Sequence, residues 1–204
     1  MLSSSTLASV LRGRLRSVQD GSGSSGSSSS NRVVHGNDEG RIPAAVLLII
    51  HFTDGNARII LCRRSERLRN HAGQIAFPGG IFKEEDGDLL GTAFRETREE
   101  IGVDIDRGSI VGSLDDVYTL TSNFVVRPFV AVVDSISNVS INKGEVADVI
   151  DARLVELLKS MEKDEAGHGH REAYRFTYDG HVIWGATARI LKQLRDVLGD
   201  VLAQ

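Results

Sequence analysis

The run Arg-Glu-Thr-Arg-Glu-Glu-Ile-Gly at residues 95–102 constrains this chain most, because it puts three carboxylates within one turn of a predicted helix. Glu96, Glu99 and Glu100 have the i, i+3, i+4 spacing that gathers side chains on an arc of about 100°. Like charges this close repel, so the run favours a bound divalent cation, and carboxylate oxygens suit Mg²⁺ or Mn²⁺. The alternative is a solvated charged helix face, which most Glu-rich helical stretches are.

Two features upstream of this helix favour the metal-site interpretation. Phe-Pro-Gly-Gly at residues 77–80 is typical of a turn that ends a strand, and its glycines allow the backbone to approach a ligand closely. The acidic loop 83–88 follows, and the next apolar residues give the helix a side to bury: Leu89, Leu90, Ala93 and Phe94.

Residues Gly80–Val103 resemble the Nudix box, G-x5-E-x7-R-E-U-x-E-E-x-G-U, where U is aliphatic. The second half of the box matches at Arg95, Glu96, Glu99, Glu100, Gly102 and Val103. The first half departs from it, because Gly80 lies one residue too far from Arg95. Either Asp86 or Asp88 therefore replaces the first glutamate of the box.

Residues 60–80 also resemble the L-L-T-x-R-S-x3-R-x3-G-x3-F-P-G-G signature of the coenzyme A diphosphatase branch of Nudix hydrolases. The matching residues are Arg64, Ser65, Arg69, Gly73 and the run 77–80, while Ile60 and Cys62 depart from the signature. Residues 183–191 are similar to the closing helix of that branch. The resemblance covers most of residues 42–195.

The resemblance implies an α+β protein with the Nudix fold, an α/β/α sandwich with a central mixed β-sheet. It implies Mg²⁺- or Mn²⁺-dependent hydrolysis of the diphosphate of coenzyme A to 3′,5′-ADP and 4′-phosphopantetheine. Glu96, Glu99, Glu100 and the backbone of Gly79 or Gly80 would hold the metal, and Arg95 would orient a carboxylate.

The general base is less well marked, since family members use either a box glutamate or an acid from a later loop. Glu145 is the candidate outside the helix, and its alternative role is that of an acid at the start of a strand or helix. Two other functions stay open: hydrolysis of ADP-ribose or another nucleoside diphosphate derivative, and a Nudix module that binds a nucleotide without catalysis.

The segment before the turn is rich in groups that bind phosphate. Arginines can hold phosphate oxygens with two hydrogen bonds each, which lysine does less well. Coenzyme A carries a 3′-phosphate besides its diphosphate, so a cluster of arginines beside a metal site fits such a substrate. The alternative is that these arginines solvate a strand edge or pair with the acidic loop. The predicted substrate-binding residues are Arg63, Arg64, Arg69, His71 and Gln74.

Composition excludes some classes of partner. The chain has 204 residues, a formal net charge of −4 and a pI near 5.9, so it has no basic field for nucleic acid. The longest apolar run, 44–50, is the length of a strand and not of a membrane span. The expected partner is a small-molecule substrate, and the sequence also allows a homodimer.

The composition of the N-terminal 40 residues differs from that of the rest of the chain. This change predicts a helix and a flexible linker at 1–40 and the Nudix domain at 41–204. Residues 21–30 are an unbroken Gly/Ser tract. Residues 2–18 hold arginines, serines and no acid, which is typical of a mitochondrial transit peptide. They also carry an apolar stripe that favours an amphipathic helix folded against the domain, formed by Leu7, Val10, Leu11 and Leu15. We expect a cytoplasmic location, with the mitochondrial matrix as the alternative.

Hydrophobic periodicity predicts the order of elements in the domain. Two strands at 43–52 and 57–63 form a hairpin with its turn at 54–56, and the helix at 89–101 ends at Gly102. Strands at 110–118 and 123–133 follow. The remaining elements are a helix at 150–161, a hairpin at 171–183 and a helix at 186–202.

Overall fold

The computed structural model describes residues 3–18, 40–68, 71–119, 122–164 and 173–199. The Gly/Ser tract at 21–30 and Arg69 lie outside the described residues, as do the first residues of the predicted 171–183 hairpin and the end of the last predicted helix.

A mixed sheet forms the centre of the molecule. Its strands in the described part of the chain are β1 (Ile42–Thr53), β2 (Asn56–Arg64), β3 (Ile75–Ala76), β4 (Gly79–Ile81), β5 (Ile110–Ser113), β6 (Val117–Tyr118), β7 (Phe124–Val132) and β8 (Val146–Arg153). The main path runs β3-β2-β1-β7-β5, with β4 on β1, β6 on β7 and β8 on β2. Strands β1 and β7 are parallel, and the other pairs are antiparallel.

Helices cover both faces of this sheet. The helices are α1 (Ser4–Arg14), α2 (Leu89–Ile101), α3 (Leu154–Lys159) and α4 (Gly185–Val197). Alternate residues of β1 point to opposite faces, so Leu47 and Ile49 pack in one core with α2 while Leu48 and Ile50 pack in the other with α1, α3 and α4. The predicted α/β/α sandwich with a mixed sheet is confirmed.

A second, smaller sheet lies beside α3 and α4. Its strands are β9 (Glu162–Lys163), β10 (Tyr174–Tyr178) and β11 (His181–Ile183), in the order β11-β10-β9. The turn between β10 and β11 is Asp179-Gly180, as the sequence predicted.

Two elements with strong local signals form as predicted. Helix α2 begins after Asp88, whose carboxylate accepts a hydrogen bond from the Gly91 N–H at 2.6 Å, and it ends at Gly102 with φ +68°. The β1–β2 hairpin closes through Asp54 and Gly55, both at positive φ, which matches the twist of the two strands.

Two predicted elements were wrong. Residues 150–153, predicted as the start of a helix, belong to strand β8, and α3 begins only at Leu154. Ile150 and Ala152 are buried while their neighbours are more exposed, and β8 gains its hydrogen bonds from β2, so a distant strand outweighs local helix preference. The single strand predicted at 110–118 is divided into β5 and β6, with residues 114–116 outside both.

The N-terminal segment contributes to the core of the domain. Leu7 and Leu11 of α1 are completely buried, and Arg14 donates a 2.6 Å hydrogen bond to the Val197 carbonyl. A Cβ on Gly112 of β5 would lie 2.5 Å from the Cβ of Leu15, so the glycine makes room for this segment. No helix within the described ranges is long and apolar enough to cross a membrane.

Candidate metal and catalytic site

Three carboxylates meet at one end of α2. Glu96 and Glu100 project from the helix, Glu145 comes from the residue before β8, and one ligand atom from each lies within 4.8 Å of the others. The Glu145 backbone is fixed because its carbonyl accepts a 2.8 Å hydrogen bond from the Ser65 N–H. Its side-chain Oε1 lies 3.3 Å from Nδ2 of Asn142. Pairing of β2 with β8 therefore brings a distant acid to the helix.

The Gly79-Gly80 turn packs directly against these carboxylates. Strand β4 pairs with β1, so that Gly80 lies opposite Ala45 and Gly79 lies opposite Val46. The Gly79 N–H donates a 3.2 Å hydrogen bond to Oε2 of Glu100. A Cβ on Gly80 would lie 2.4 Å from Oε1 of Glu96, and one on Gly79 would lie 2.2 Å from the Ala45 carbonyl oxygen. Gly79 is required because its Cβ would meet the backbone of β1, whereas a Cβ on Gly80 would displace the Glu96 carboxylate.

Burial and mutual repulsion govern the charge of this group. Glu100 is only 5% exposed, and burial raises its pKa to about 7. The Gly79 N–H and the Arg64 guanidinium oppose this shift, whereas the charges of Glu96 and Glu145 add to it. Three hard oxygen donors that repel one another fit a divalent cation, because such an ion neutralises the charge and satisfies the oxygens.

Arg95 connects the acidic loop to the helix. Its Nε donates to Oδ1 of Asp86 at 2.6 Å, and its Nη1 donates to Glu96 at 2.6 Å and to Glu99 at 3.0 Å. The Asp86 side chain is 1% exposed and also accepts a 2.7 Å hydrogen bond from the Thr92 hydroxyl. The pKa of Asp86 is lowered to about 2, mainly by the Arg95 hydrogen bond. Arg95 thus holds the Glu96 carboxylate in place.

Asp86, and not Asp88, stands where the box has its first glutamate. Asp86 pairs with Arg95, while Asp88 caps α2. The loop makes one 3₁₀ turn at Glu84–Asp86 and leaves it through Gly87, whose φ is +75°.

Glu99 shares Nη1 of Arg95 with Glu96 but is more exposed than the other two helix glutamates. Its side chain is 48% exposed and its carboxylate pairs with Arg95. The structure brings Glu145, the candidate acid outside the helix, to Glu96 and Glu100, and it does so through the pairing of β2 and β8. The role of Glu99 as a metal ligand stays a prediction.

The arginine-rich segment begins next to the carboxylates. Nη1 of Arg64 lies 4.0 Å from Oε1 of Glu100, and Arg63 lies 3.8 Å from Glu66. Nε of Arg64 is buried without a hydrogen-bond partner among the described residues. In the loop after β2, Nδ1 of His71 lies 2.9 Å from Oε1 of Gln74.

Cys62 lies close to Glu100, and its surroundings disfavour the thiolate form. The thiol is buried on β2, and burial together with the Glu100 charge raises its pKa well above the usual range. Its burial in a strand is typical of a free cysteine, which behaves as a small apolar side chain. Sequence reasoning did not identify Ser65 or Asn142 as residues that hold Glu145, although Ser65 falls within the signature at 60–80.

The comparison with protein families decides the identity. The NUDIX domain model matches residues 41–176. The chain belongs to the Nudix family. Nudix hydrolases use divalent metal ions such as Mg²⁺ or Mn²⁺ to cleave diphosphate bonds, and the carboxylates of Glu96, Glu100 and Glu145 fit such an ion.

Curated relatives carry the same family name. The uncharacterized Nudix hydrolase NudL of Photorhabdus laumondii is 35% identical over 156 residues, which are 74% of this chain and 82% of that protein. The NudL of Citrobacter koseri is 32% identical over 171 residues, covering 81% of this chain and 88% of that protein.

Solved structures show the same fold. The NUDIX domain of Shewanella oneidensis NrtR, crystallised with ADP ribose, has a TM-score of 0.56 at 17% identity and covers 78% of this chain and 88% of its own. A MutT/nudix family protein from Enterococcus faecalis has a TM-score of 0.58 at 13% identity, covering 78% of this chain and 62% of its own.

The role of Asp86 can be tested by replacing its charge. We expect Asp86→Asn to lower the hydrolytic rate by about 10- to 100-fold, because Arg95 loses the partner that positions it against Glu96. The matched control is Asp88→Asn, which keeps a good helix cap and should retain the wild-type rate. The initial rate of diphosphate hydrolysis in the presence of Mg²⁺ is measured for both variants. Equal losses in the two variants, or none in either, would contradict the role of Asp86.

Metal affinity should depend on pH through Glu100. The raised pKa, about 7, means that the metal-free side chain binds a proton at lower pH, and that proton competes with the metal. Affinity for Mn²⁺, measured by titration calorimetry, should therefore rise by up to about tenfold per pH unit below this pKa and level off above it. Glu85→Gln, on the exposed acidic loop, should keep this profile. A profile that is flat below pH 7 in the wild type would refute the assignment.

Proposed function

We propose that this Nudix protein hydrolyses the diphosphate of coenzyme A, or of its derivatives, to 3′,5′-ADP and 4′-phosphopantetheine or its acylated form. The observation that carries the proposal is the 4.0 Å separation between the Arg64 guanidinium and Glu100. An arginine of the signature at 60–80 is thereby adjacent to the carboxylates that fit a metal. A substrate with several phosphates fits such a site, because the metal ion and the neighbouring guanidinium groups can each bind phosphate oxygens.

The carboxylates of Glu96, Glu100 and Glu145 would hold Mg²⁺ or Mn²⁺, with a backbone carbonyl from Gly79 or Gly80. When bound, such an ion supplies a Lewis acid for the attacking water and the phosphate oxygens. Glu145 would also accept the proton of that water, because a carboxylate has two oxygens, and Asn142, whose Nδ2 lies 3.3 Å from Oε1 of Glu145, orients this side chain. The role predicted for Glu99 as a ligand remains a proposal, with Arg95 as its anchor.

The chain's cations would bind the substrate. Arg64 would donate two hydrogen bonds to phosphate oxygens from its position beside Glu100. Arg63, on the neighbouring position of β2, would bind a further phosphate, as would Arg69, which lies outside the described residues. His71 and Gln74, which are paired across that loop, would shape its conformation and offer polar contacts.

Other members of the family suggest a second substrate class. The NUDIX domain of NrtR was crystallised with ADP ribose, which also contains a diphosphate, so ADP-ribose is the alternative substrate for this chain. A module that binds without catalysis is a weaker alternative, because Glu96, Glu99 and Glu100 are all present.

We also propose a cytoplasmic location, with the mitochondrial matrix as the alternative. The observation that supports the cytoplasm is that Leu7 and Leu11 of the basic N-terminal segment pack in the core of the domain. A segment that packs in this way is part of the folded protein, whereas a transit peptide is removed. The homodimer that the sequence allows stays a prediction.

Arg64 and the substrate are tested together. Purified protein with Mg²⁺ or Mn²⁺ should cut coenzyme A faster than ADP-ribose or NADH, with 3′,5′-ADP and 4′-phosphopantetheine identified by mass. Arg64→Ala should lower kcat/KM for coenzyme A by about 10- to 100-fold, because a charged hydrogen-bond partner of the phosphates is lost. Arg67→Ala, at an exposed position in the loop that follows β2, is the control and should retain the wild-type value.

The outcomes separate the alternatives. Faster cleavage of ADP-ribose or NADH would replace the substrate while keeping the hydrolase. No cleavage of any of the three compounds would favour the binding module. A wild-type kcat/KM in Arg64→Ala would contradict the role of this residue in binding phosphate.

A further inference from the structure

Strand β4 turns its outer edge, the edge that faces away from β1, toward the carboxylate site. The strand is three residues long, and among the described strands it pairs with β1 alone. At one end of the outer edge, the Gly79 N–H donates a hydrogen bond to Glu100. At the other end, the Ile81 carbonyl accepts a 3.2 Å hydrogen bond from Nη2 of Arg95. A ligand held by the carboxylates therefore lies along this edge.

The last residue of β4 carries an exposed apolar side chain next to the site. Ile81 is 46% exposed and belongs to neither of the two cores of the described residues. Its Cα is about 3.8 Å from that of Gly80, whose Cβ would lie 2.4 Å from Oε1 of Glu96. Arg95 fixes this position, since it binds both the Ile81 carbonyl and Glu96. Edge strands are usually protected by charged side chains, so contact with a ligand gives this isoleucine a role that the fold does not supply.

A second exposed isoleucine extends this apolar surface. Ile81 lies opposite Ala44 of β1, so the side chains of these two residues share one face of the sheet. Ile42 lies two positions before Ala44 on the same strand and therefore points to the same face. It is 42% exposed. Diagonal neighbours across an antiparallel pair are about 7–8 Å apart, so Ile42 and Ile81 form one short apolar surface.

The surroundings of the carboxylates change in polarity along the outer edge of β4. At the Gly79 end lies Glu100, and the Arg64 guanidinium is 4.0 Å from it. At the Ile81 end, about 7 Å further along the strand, the exposed side chain is apolar. These two ends match a diphosphate ester that has one anionic half and one neutral, branched half.

We propose that Ile81 is a specificity-determining residue that contacts the dimethyl carbon of the pantoate unit of coenzyme A, with Ile42 extending the contact. This inference rests on the proposed function. In coenzyme A a single CH2 group separates the pantetheine-side ester oxygen from a carbon that bears two methyl groups, so these methyl groups lie beside a diphosphate bound at the metal. At the same place ADP-ribose has a ribose ring with hydroxyl groups, to which an apolar side chain offers no hydrogen bond. Ile81 therefore favours coenzyme A over ADP-ribose.

The first test uses the two halves of coenzyme A as separate probes. Titration calorimetry in the presence of Mg²⁺ measures the Kd of 4′-phosphopantetheine, which contains the dimethyl carbon, and of 3′,5′-ADP, which does not. The variants are Ile81→Val and Ile81→Thr, whose β-branched side chains have nearly the same shape but differ by a methyl against a hydroxyl group. We expect Ile81→Thr to bind 4′-phosphopantetheine about 3- to 10-fold more weakly than Ile81→Val, and both variants to bind 3′,5′-ADP equally.

Kinetics of the same variants provide the second readout. The ratio of kcat/KM for coenzyme A to kcat/KM for ADP-ribose should be about 3- to 10-fold lower in Ile81→Thr than in Ile81→Val. A purely structural defect would lower both values together and leave this ratio unchanged. The matched control is Val182→Thr, which replaces a methyl by a hydroxyl group on β11 at a residue that is 50% exposed. It should retain the wild-type ratio.

The outcomes distinguish this inference from the proposed function. If the wild-type protein cuts coenzyme A, equal Kd values for 4′-phosphopantetheine in the two Ile81 variants overturn the pantoate contact alone. Self-association that Ile81→Thr abolishes without a change in Kd also overturns it, since the apolar surface would then bind a second copy of the chain. Failure to cut coenzyme A overturns the proposed function, while a Kd for 4′-phosphopantetheine that differs between the two Ile81 variants would still support an apolar subsite there.

Discussion

The mutual repulsion of Glu96, Glu100 and Glu145 is the constraint on which the rest of the structure depends. Their ligand atoms lie within 4.8 Å of one another, and Glu100 is nearly completely buried. Carboxylates arranged in this way are unfavourable unless hydrogen bonds, guanidinium groups or a cation compensate for their charge. The surrounding elements supply the first two, and the family's requirement for a divalent ion supplies the third.

Each compensating group comes from a different element, so the site depends on the whole sandwich. Strand β4 brings the Gly79 N–H to Glu100, and the acidic loop brings Asp86 to Arg95, which in turn holds Glu96. The pairing of β2 with β8 brings Glu145 and Arg64 to the same place. A change of one residue in that register would move Glu145 away from the helix.

The parts that sequence reasoning predicted are those determined by local signals. Helix α2 has a cap at each end, Asp88 and Gly102, and the β1–β2 turn has Asp54 and Gly55 at positive φ. These features depend on residues within a few positions of one another, so pattern and turn chemistry predict them. The placement of Glu96 and Glu100 on one face of a helix follows in the same way.

The parts that it missed depend on contacts between distant segments. Residues 150–153, the end of strand β8, were predicted to begin a helix, because their partner β2 lies more than eighty residues earlier. Glu145 was named as a candidate acid, but the sequence did not show that this pairing brings it to Glu96 and Glu100. The choice between Asp86 and Asp88 depended on how the loop turns at Gly87, which spacing alone left open. Non-local pairing and loop conformation are the two determinants that one sequence specifies least directly.

The central claim is that Glu96, Glu100 and Glu145 bind one metal centre against the Gly79-Gly80 turn. Anomalous diffraction from crystals soaked in Mn²⁺ tests it most directly, since the scattering locates the ion independently of activity. The account predicts a peak coordinated by oxygens of all three carboxylates. A peak coordinated by Glu99 without Glu145, or one away from α2, would contradict it.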